Sequence, residues 1–482
     1  GTVYTATITI TPKTGYTTTG VAANFFTVAG ATSVTNAVNS SVVTAIFPAT
    51  AAAASHNDGG SGGYSPPPVT PPAAPVTITE TPPTGNMTPS VTSTTTTEAK
   101  SDSNGNAAAA VTESQITDAV NKAVTAAAQK GNDTAAKVEI KVTAPANAKS
   151  VETSIPKASF NAVADSKIDS LTVSTPIASI TFDDKSLDTI SKEAAGDVKI
   201  TASKVDTSTL SEGTKQVVGD RPVFNFSVTC GDKTISQFGG NVEVSVPYTP
   251  KAGEDTSVIV IYYINAEGKL EIVSNCAYDP ATGTIRFKTS HFSQYAVGYN
   301  KVSFKDVAVT AWYNNAVSFI AARGITTGTG NGNYSPEAKL TRGEFLVMMM
   351  RAYGIEADAN PRDNFKDAGS TYYTGYLAAA KRLSITNGEG NNLFAPDKEI
   401  TRQDMFTLLY NALKVIDKLP EGTAGRDLSS FSDSGEISSW AKDAMTLFIK
   451  TGTVTGSSGK LSPTSKTTRA EMAQVLFTLL SK

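Results

Sequence analysis

The sequence predicts a multidomain protein: a β-rich N-terminal part of sandwich type, a disordered Pro/Thr linker, and an all-α C-terminal part. Three observations predict it. The chain has 482 residues, about three units at roughly 150 residues per domain. Period-two alternation of apolar and polar residues, broken by turn residues, recurs through the first 300 positions. A motif of several parts then recurs three times, with helical spacing between its parts.

Composition narrows the function classes. The formal net charge is −3, with 41 Lys and Arg against 44 Asp and Glu. That balance excludes an electrostatic nucleic-acid binder. Two histidines and two cysteines exclude most zinc sites and any disulfide framework. No metal or cofactor is expected. No apolar run reaches the 18 or so residues of a membrane span. The first residues, Gly1-Thr2-Val3-Tyr4, lack the Met, basic segment and apolar stretch of a leader. Residues 1–10 already alternate as a strand, so the sequence is expected to continue something longer.

Residues 1–50 read as a partial immunoglobulin-like β module. Tyr4, Ala6, Ile8 and Ile10 alternate with threonines, 12–15 reads as a turn, and short β segments follow near 24–28 and 42–47. This stretch resembles small β modules of Gram-positive surface proteins, through its TGVAANFFTVAGA and VTAIFPAT segments. Residues 51–111 read as a linker. Nine of the 23 prolines fall between Pro66 and Pro89, and no aromatic residue occurs between Tyr64 and Phe160. His56 lies in that stretch. Residues 112–300 read as a β-sandwich stalk with short helices. Thr112 and Gln115 form a capping-box signature before a helix ending near Gly131. Strands are expected near 137–143, 170–182, 197–202, 222–230, 241–247, 257–264, 269–273, 283–289 and 294–299. Cys230 and Cys276 fall in this domain, and the sequence leaves open whether they pair.

Residues 301–360, 361–425 and 426–482 are three copies of one unit. Phe304-Lys305-Asp306 recurs as Phe365-Lys366-Asp367 and Phe431-Ser432-Asp433. An aromatic follows in each: Trp312, Tyr372, Trp440. Gly-rich turns at 324–328, 384–388 and 452–456 precede Tyr334-Ser335-Pro336, Phe394-Ala395-Pro396 and Leu461-Ser462-Pro463. Last come Thr341-Arg342-Gly343-Glu344, Thr401-Arg402-Gln403-Asp404 and Thr468-Arg469-Ala470-Glu471. In each, Thr (Thr341, Thr401, Thr468) can cap a helix while Glu344, Asp404 or Glu471 reaches back.

These residues resemble the S-layer homology domain, present as a complete triplet over about 180 residues. The resemblance implies a pseudo-threefold all-α unit around a central three-helix bundle. It implies that grooves between repeats bind secondary cell-wall polysaccharide, often pyruvylated, and so anchor the protein to the wall without a covalent bond.

Arg342, Arg402 and Arg469 stand in a first helical turn, where the macrodipole disfavours a cation by about a few tenths of a kcal/mol. A solvated Arg explains any one copy. Three copies at one offset point to a carboxylate site beside free helix N–H groups, and pyruvyl groups are the carboxylates the resemblance implies. For Trp312, Tyr372 and Trp440, core packing and sugar contact both stay open. Asp306, Asp367 and Asp433 can cap turns or accept sugar hydroxyls. Repeat two departs furthest, with Tyr372, Ser384 and Asp404, so its groove is expected to be weak. Gly343 is expected to cost its helix about 1 kcal/mol. Residues 301–482 carry +3 and residues 1–300 carry −6, which places the basic end at the wall.

No nucleotide loop or Ser-His-Asp order appears. Asp183 and Asp184 are adjacent, so on a strand they face opposite ways and make a poor acid pair. The segment Leu419-Pro420-Glu421-Gly422-Thr423 transposes the last two residues of a sortase signal, which excludes covalent sorting through it. Ser290-His291-Phe292-Ser293 resembles β-sandwich modules that cleave themselves between Phe and Ser, with Ser293 as nucleophile and His291 as base. The bland alternative is an ordinary strand start. The expectation is a secreted wall-bound surface protein, an S-layer component without catalysis that associates laterally in a surface layer. The alternative is the anchor of a larger cell-bound polysaccharide-degrading enzyme.

Overall fold

The computed structural model describes residues 4–10, 17–26, 28, 31–47, 76–82, 89–131, 134–416 and 418–481. The chain divides into two compact units, 1–71 and 72–482.

In the first unit Tyr4–Thr9 pairs antiparallel with Val42–Phe47, which pairs with Ser33–Asn36. Val43 and Ala45 turn inward. Residues 24–26, expected as a strand, form a turn instead, with Asn24 at φ 58°. Asn36 explains the difference: its Oδ1 accepts from the Phe25 N–H at 2.8 Å and its Nδ2 donates to the Ala22 carbonyl at 2.9 Å. Those bonds replace a strand ladder. The turn expected at 12–15 lies outside the described residues.

In the second unit, residues 76–300 form two mixed sheets around one hydrophobic core. The first sheet runs Ala277–Asp279, Thr284–His291, Gln237–Pro247, Ser179–Asp183, Ser170–Ser174, Ala135–Thr143, Ser90–Glu98, Thr77–Thr81. The second runs Leu270–Val273, Ile259–Ile264, Gln294–Tyr299, Val223–Cys230, Val198–Lys204, Ser150–Ile155, Asn106–Ala110, Lys100–Ser101. Strand Lys233–Ile235 adds to Val223–Cys230. Helices α1 (Glu113–Lys130), α2 (Lys157–Ala164), α3 (Asp184–Glu193) and α4 (Glu212–Val218) interrupt the strands. Thr112 and Gln115 do form the capping box of α1.

The linker expected over 51–111 does not hold over its described part, 76–82 and 89–111. Residues 77–81, 90–98 and 106–110 are strands, and 90–98 runs parallel to 135–143. Threonine is β-branched and suits a pleated strand, so a Thr run without aromatics can still enter a core. Val91, Ser93 and Thr95 point inward. Helix α1 packs on this strand and on 135–143 through Ala119, Ala123 and Ala127. Small residues on the helix let it approach small residues on the sheet. Residues 51–75 and 83–88, with His56, lie outside the described residues. Strand Ser150–Ile155 was not anticipated, although Val151, Thr153 and Ile155 alternate inward. Cys230 and Cys276 are both buried and unpaired, and Cys276 Sγ accepts from the Ile261 N–H.

Residues 301–481 are helical. Each repeat contributes two helices: α5 (Asn314–Ala322) and α6 (Arg342–Ala352), α7 (Thr374–Arg382) and α8 (Arg402–Val415), α9 (Lys442–Lys450) and α10 (Arg469–Leu480). The first helix of each repeat packs on the second helix of the preceding one: α7 on α6, α9 on α8, and α5 on α10. That last contact closes the ring. Phe345, Met349, Met405, Leu409, Met472 and Leu476 of the second helices share one core. Three backbone bonds also close a circuit: Leu340 N–H to Thr467 O at 2.9 Å, Thr467 N–H to Ile400 O at 3.1 Å, Ile400 N–H to Leu340 O at 2.9 Å.

Arg323, one residue past α5, joins the repeats to the β domain. It is 1% exposed. Nε donates to the Cys276 carbonyl at 2.6 Å, Nη1 to Ser257 and Phe319, and Nη2 to Ile259. No carboxylate among the described residues pairs with it. Loss of solvation pushes its pKa down to about 10.

Candidate functional site

Each repeat builds the same turn. The Gly-rich segment ends at Gly328, Gly388 and Gly456, all at positive φ. A Cβ there would lie 2.6, 2.8 and 2.6 Å from the rings of Phe304, Phe365 and Phe431, so the first aromatic of each repeat needs that glycine. The aspartate two residues on takes two N–H groups of the turn that follows. Asp306 accepts from Tyr334 and Ser335, Asp367 from Phe394 and Ala395, and Asp433 from Leu461 and Ser462, at 2.7–2.9 Å. Ser335, Ala395 and Ser462 are left-handed, at φ 59°, 58° and 52°. The aspartates hold that costly conformation in place. Their carboxylates are thus occupied by backbone, which meets the turn-capping expectation. Burial opposes charge on Asp306 and Asp433, but the backbone donors outweigh it and hold both below the ordinary range.

The turn then feeds the next helix around the ring. Arg342 N–H donates to Lys398 O and Gly343 N–H to Pro396 O. Arg402 and Gln403 donate to Ser465 and Pro463, and Arg469 and Ala470 to Ala338 and Pro336. Gly343 has a reason of its own: a Cβ would sit 3.1 Å from both Pro396 O and Tyr373 Cδ1. The free N–H groups expected beside the arginines are therefore not free. Capping boxes take further N–H groups at Thr341–Glu344 and Thr468–Glu471. Thr401 caps α8 by accepting from the Asp404 N–H, but Asp404 Oδ2 takes the Thr401 hydroxyl instead of reaching back to the backbone.

The arginines lie below the surface. Nε of Arg342, Arg402 and Arg469 donates to the Phe394, Leu461 and Tyr334 carbonyls of the neighbouring repeat at 2.8–2.9 Å. Arg402 then pairs with Glu471 at 3.1 Å and Arg469 with Glu344 at 3.0 Å. Symmetry would give Arg342 the carboxylate of Asp404. That side chain is one methylene short, and Arg342 turns to Glu389 at 3.6 Å. From the sequence, Glu344 and Glu471 read only as caps. They and Glu389 are partners that the sequence did not reveal, and the recurrence of Arg with Glu two residues on was the one signal available.

The aromatics answer the open question. Trp312, Tyr372 and Trp440 are 62%, 58% and 54% exposed. Each stands just before the first helix of its repeat, so none is core. Tyr372 of repeat two is close enough to Glu344 of repeat one and Arg469 of repeat three to feel both charges. Burial and then Glu344 raise its phenol pKa. All three repeats meet at that point.

Ser293 and His291 are not joined. Ser293 Oγ faces the Ile264 carbonyl at 3.5 Å, and His291 Nδ1 lies 3.4 Å from Thr289 Oγ1. Asp183 caps α3 and takes the Asn241 N–H, which accounts for its carboxylate. Among the described residues no cluster of three or more His, Cys, Asp or Glu is placed to hold a metal. No helix there is long and apolar enough to cross a membrane.

A ring of three two-helix repeats, joined by shared turns and bearing one exposed aromatic per repeat, defines a repeat-built, all-α module. The S-layer homology domain family model matches residues 303–346, 364–406 and 430–473. The C-terminal part of the chain thus carries three S-layer homology domains. The chain is 32% identical over 258 residues to an amylopullulanase of Thermoanaerobacterium thermosulfurigenes, covering 52% of this chain and 14% of that one. It is 27% identical over 174 residues to S-layer protein EA1 of Bacillus anthracis, covering 36% and 20%. With exoglucanase XynX of Acetivibrio thermocellus it shares 29% over 182 residues, 38% and 16% of the two chains. The chain thus spans a fifth or less of these relatives' length. The domains and these relatives support attachment at the bacterial cell surface.

Proposed function

We propose that the three repeats hold a secreted protein to the wall by binding secondary cell-wall polysaccharide, pyruvylated in the form that binds best. The observation that carries this is the threefold recurrence of an exposed aromatic, Trp312, Tyr372 and Trp440, on a rigid ring. An exposed aromatic face on a fixed scaffold suits the C–H face of a sugar. Beneath Tyr372 lies the Arg469–Glu344 pair. A pyruvyl carboxylate there meets a guanidinium already committed on two sides, so it binds by adding to the pair rather than by filling an empty N–H cradle. Arg402, the most exposed of the three at 14% of its side chain, has the most room for such a contact. The β domain serves as stalk, this chain performs no catalysis, and lateral association in a surface layer belongs to the same reading.

A second reading has one observation behind it. The amylopullulanase match covers 258 residues, more than the repeats contain, so it takes in part of the β domain as well. An anchor for a larger polysaccharide-degrading enzyme fits that reach. The test of the shared claim is co-sedimentation of the full chain with Gram-positive walls, before and after chemical stripping of secondary polysaccharide. Binding lost on stripping supports the proposal. Binding that persists on bare peptidoglycan contradicts it.

A further inference from the structure

We propose that the β domain carries a second carbohydrate site, for an uncharged sugar, in a polar cleft outside the repeats. The cleft encloses about 440 Å³ and is lined by Asn225, Tyr263, Ser293 and Gln294, with Ser211 and Asn265 on its wall. Asn225 lies opposite Gln294 on neighbouring strands, so the two side chains share a face. Neither side-chain amide, nor the Tyr263 hydroxyl, hydrogen-bonds to any described residue. Ser293, left over from the His-Phe-Ser motif, is held only by its 3.5 Å contact with Ile264 O. These are three uncommitted polar side chains and one weakly held hydroxyl around one space.

Their chemistry selects the ligand. No Lys, Arg, Asp, Glu or His lines the cleft, so it offers nothing to a charged group. Each amide both donates and accepts, as a sugar hydroxyl does. Amides about 5 Å apart on adjacent strands can reach two hydroxyls of one ring. An extended peptide fits less well. Val223–Cys230 is paired on both sides, by Val198–Lys204 and Gln294–Tyr299, and Gln294–Tyr299 is paired in turn by Ile259–Ile264. No free strand edge is left there for a peptide to extend.

The test is saturation-transfer NMR of the full chain with maltose, cellobiose and chitobiose at millimolar concentration, with trialanine as the peptide probe. At least one disaccharide should show transfer, and the double variant Asn225→Ala/Gln294→Ala should weaken it by about tenfold or more. Gln294→Glu, which keeps the shape and adds a charge, should weaken it likewise. The triple variant Trp312→Ala/Tyr372→Ala/Trp440→Ala should leave it in place. The proposal is overturned by no transfer from any of the three sugars, by transfer from trialanine alone, or by a signal that survives both cleft changes. It is overturned equally by a signal that disappears with the aromatic triple variant, because the sugar then sits on the repeats.

Discussion

Arg469 Nη1 lies 3.0 Å from Glu344 Oε1, across 125 residues of sequence. The other oxygen of Glu344 accepts the Thr341 N–H at 3.0 Å. One carboxylate thus caps a helix in repeat one and clasps repeat three. Glu471 does the same for Thr468 and Arg402. The clasp closes twice, not three times, because Asp404 is short.

Removing one side of a buried pair leaves a charge without a partner. Arg469→Ala is expected to destabilise the repeats by about 3–5 kcal/mol, read by urea unfolding. It also strands the Tyr334 carbonyl that Nε serves. A loss within experimental error would show that the clasp carries no stability.

The missing third clasp can be supplied. Asp404→Glu lengthens the side chain by one methylene, enough to reach the Thr401 N–H and approach Arg342. A gain of about 0.5–1.5 kcal/mol is expected. Unchanged stability would mean that Glu389 already serves Arg342 as well as the lengthened side chain would.

Arg323 is the rivet between the β domain and the repeats. Arg323→Met keeps an unbranched apolar stem but withdraws the donors from the Cys276, Ser257, Ile259 and Phe319 carbonyls. Calorimetry is expected to show the second unit melting in two steps instead of one, with a loss of about 3 kcal/mol at the junction. A single unshifted transition in the variant would show that the two parts are joined by other contacts.

Acid should loosen the turns. Asp306 and Asp433 have folded pKa values below the ordinary 3.8. Their contribution is therefore complete above that value and is lost as pH falls through the lower folded value. Asp433→Asn is expected to flatten this acid limb of the stability profile. An equally steep limb in the variant would assign the acid sensitivity to other carboxylates.

The repeats were legible because their signals are local. Thr341 with Glu344 lies within one helical turn, and Phe304-Lys305-Asp306 recurs unbroken enough to be matched in all three copies. The partners of the arginines were not legible for the opposite reason. Arg342, Arg402 and Arg469 do break the macrodipole rule, yet what compensates them is a carbonyl and a carboxylate 47 to 135 residues away in the chain. No spacing rule reaches that far. The linker was overextended because Ser93 and Thr95 are buried in a small-residue strand against which α1 packs chiefly alanines, beside Gln115 and Ile116. For Asp306, Asp367 and Asp433 the sequence allows both a turn cap and a sugar acceptor, and the structure gives each carboxylate two backbone donors of its own repeat. For Trp312 and Trp440 the sequence left core packing open, and their exposure removes it.

The central claim is that the arginines, committed to holding the ring together, add only a secondary contact, while the aromatics supply the main contact with the wall. The measurement is co-sedimentation of the full chain carrying Trp312→Ala, Tyr372→Ala and Trp440→Ala with polysaccharide-bearing walls, alongside its thermal melt. The account predicts an unchanged melt and binding weakened by about tenfold or more, as loss of exposed contact groups should give. Wild-type binding by the folded triple variant would contradict it and return the wall contact to the arginines.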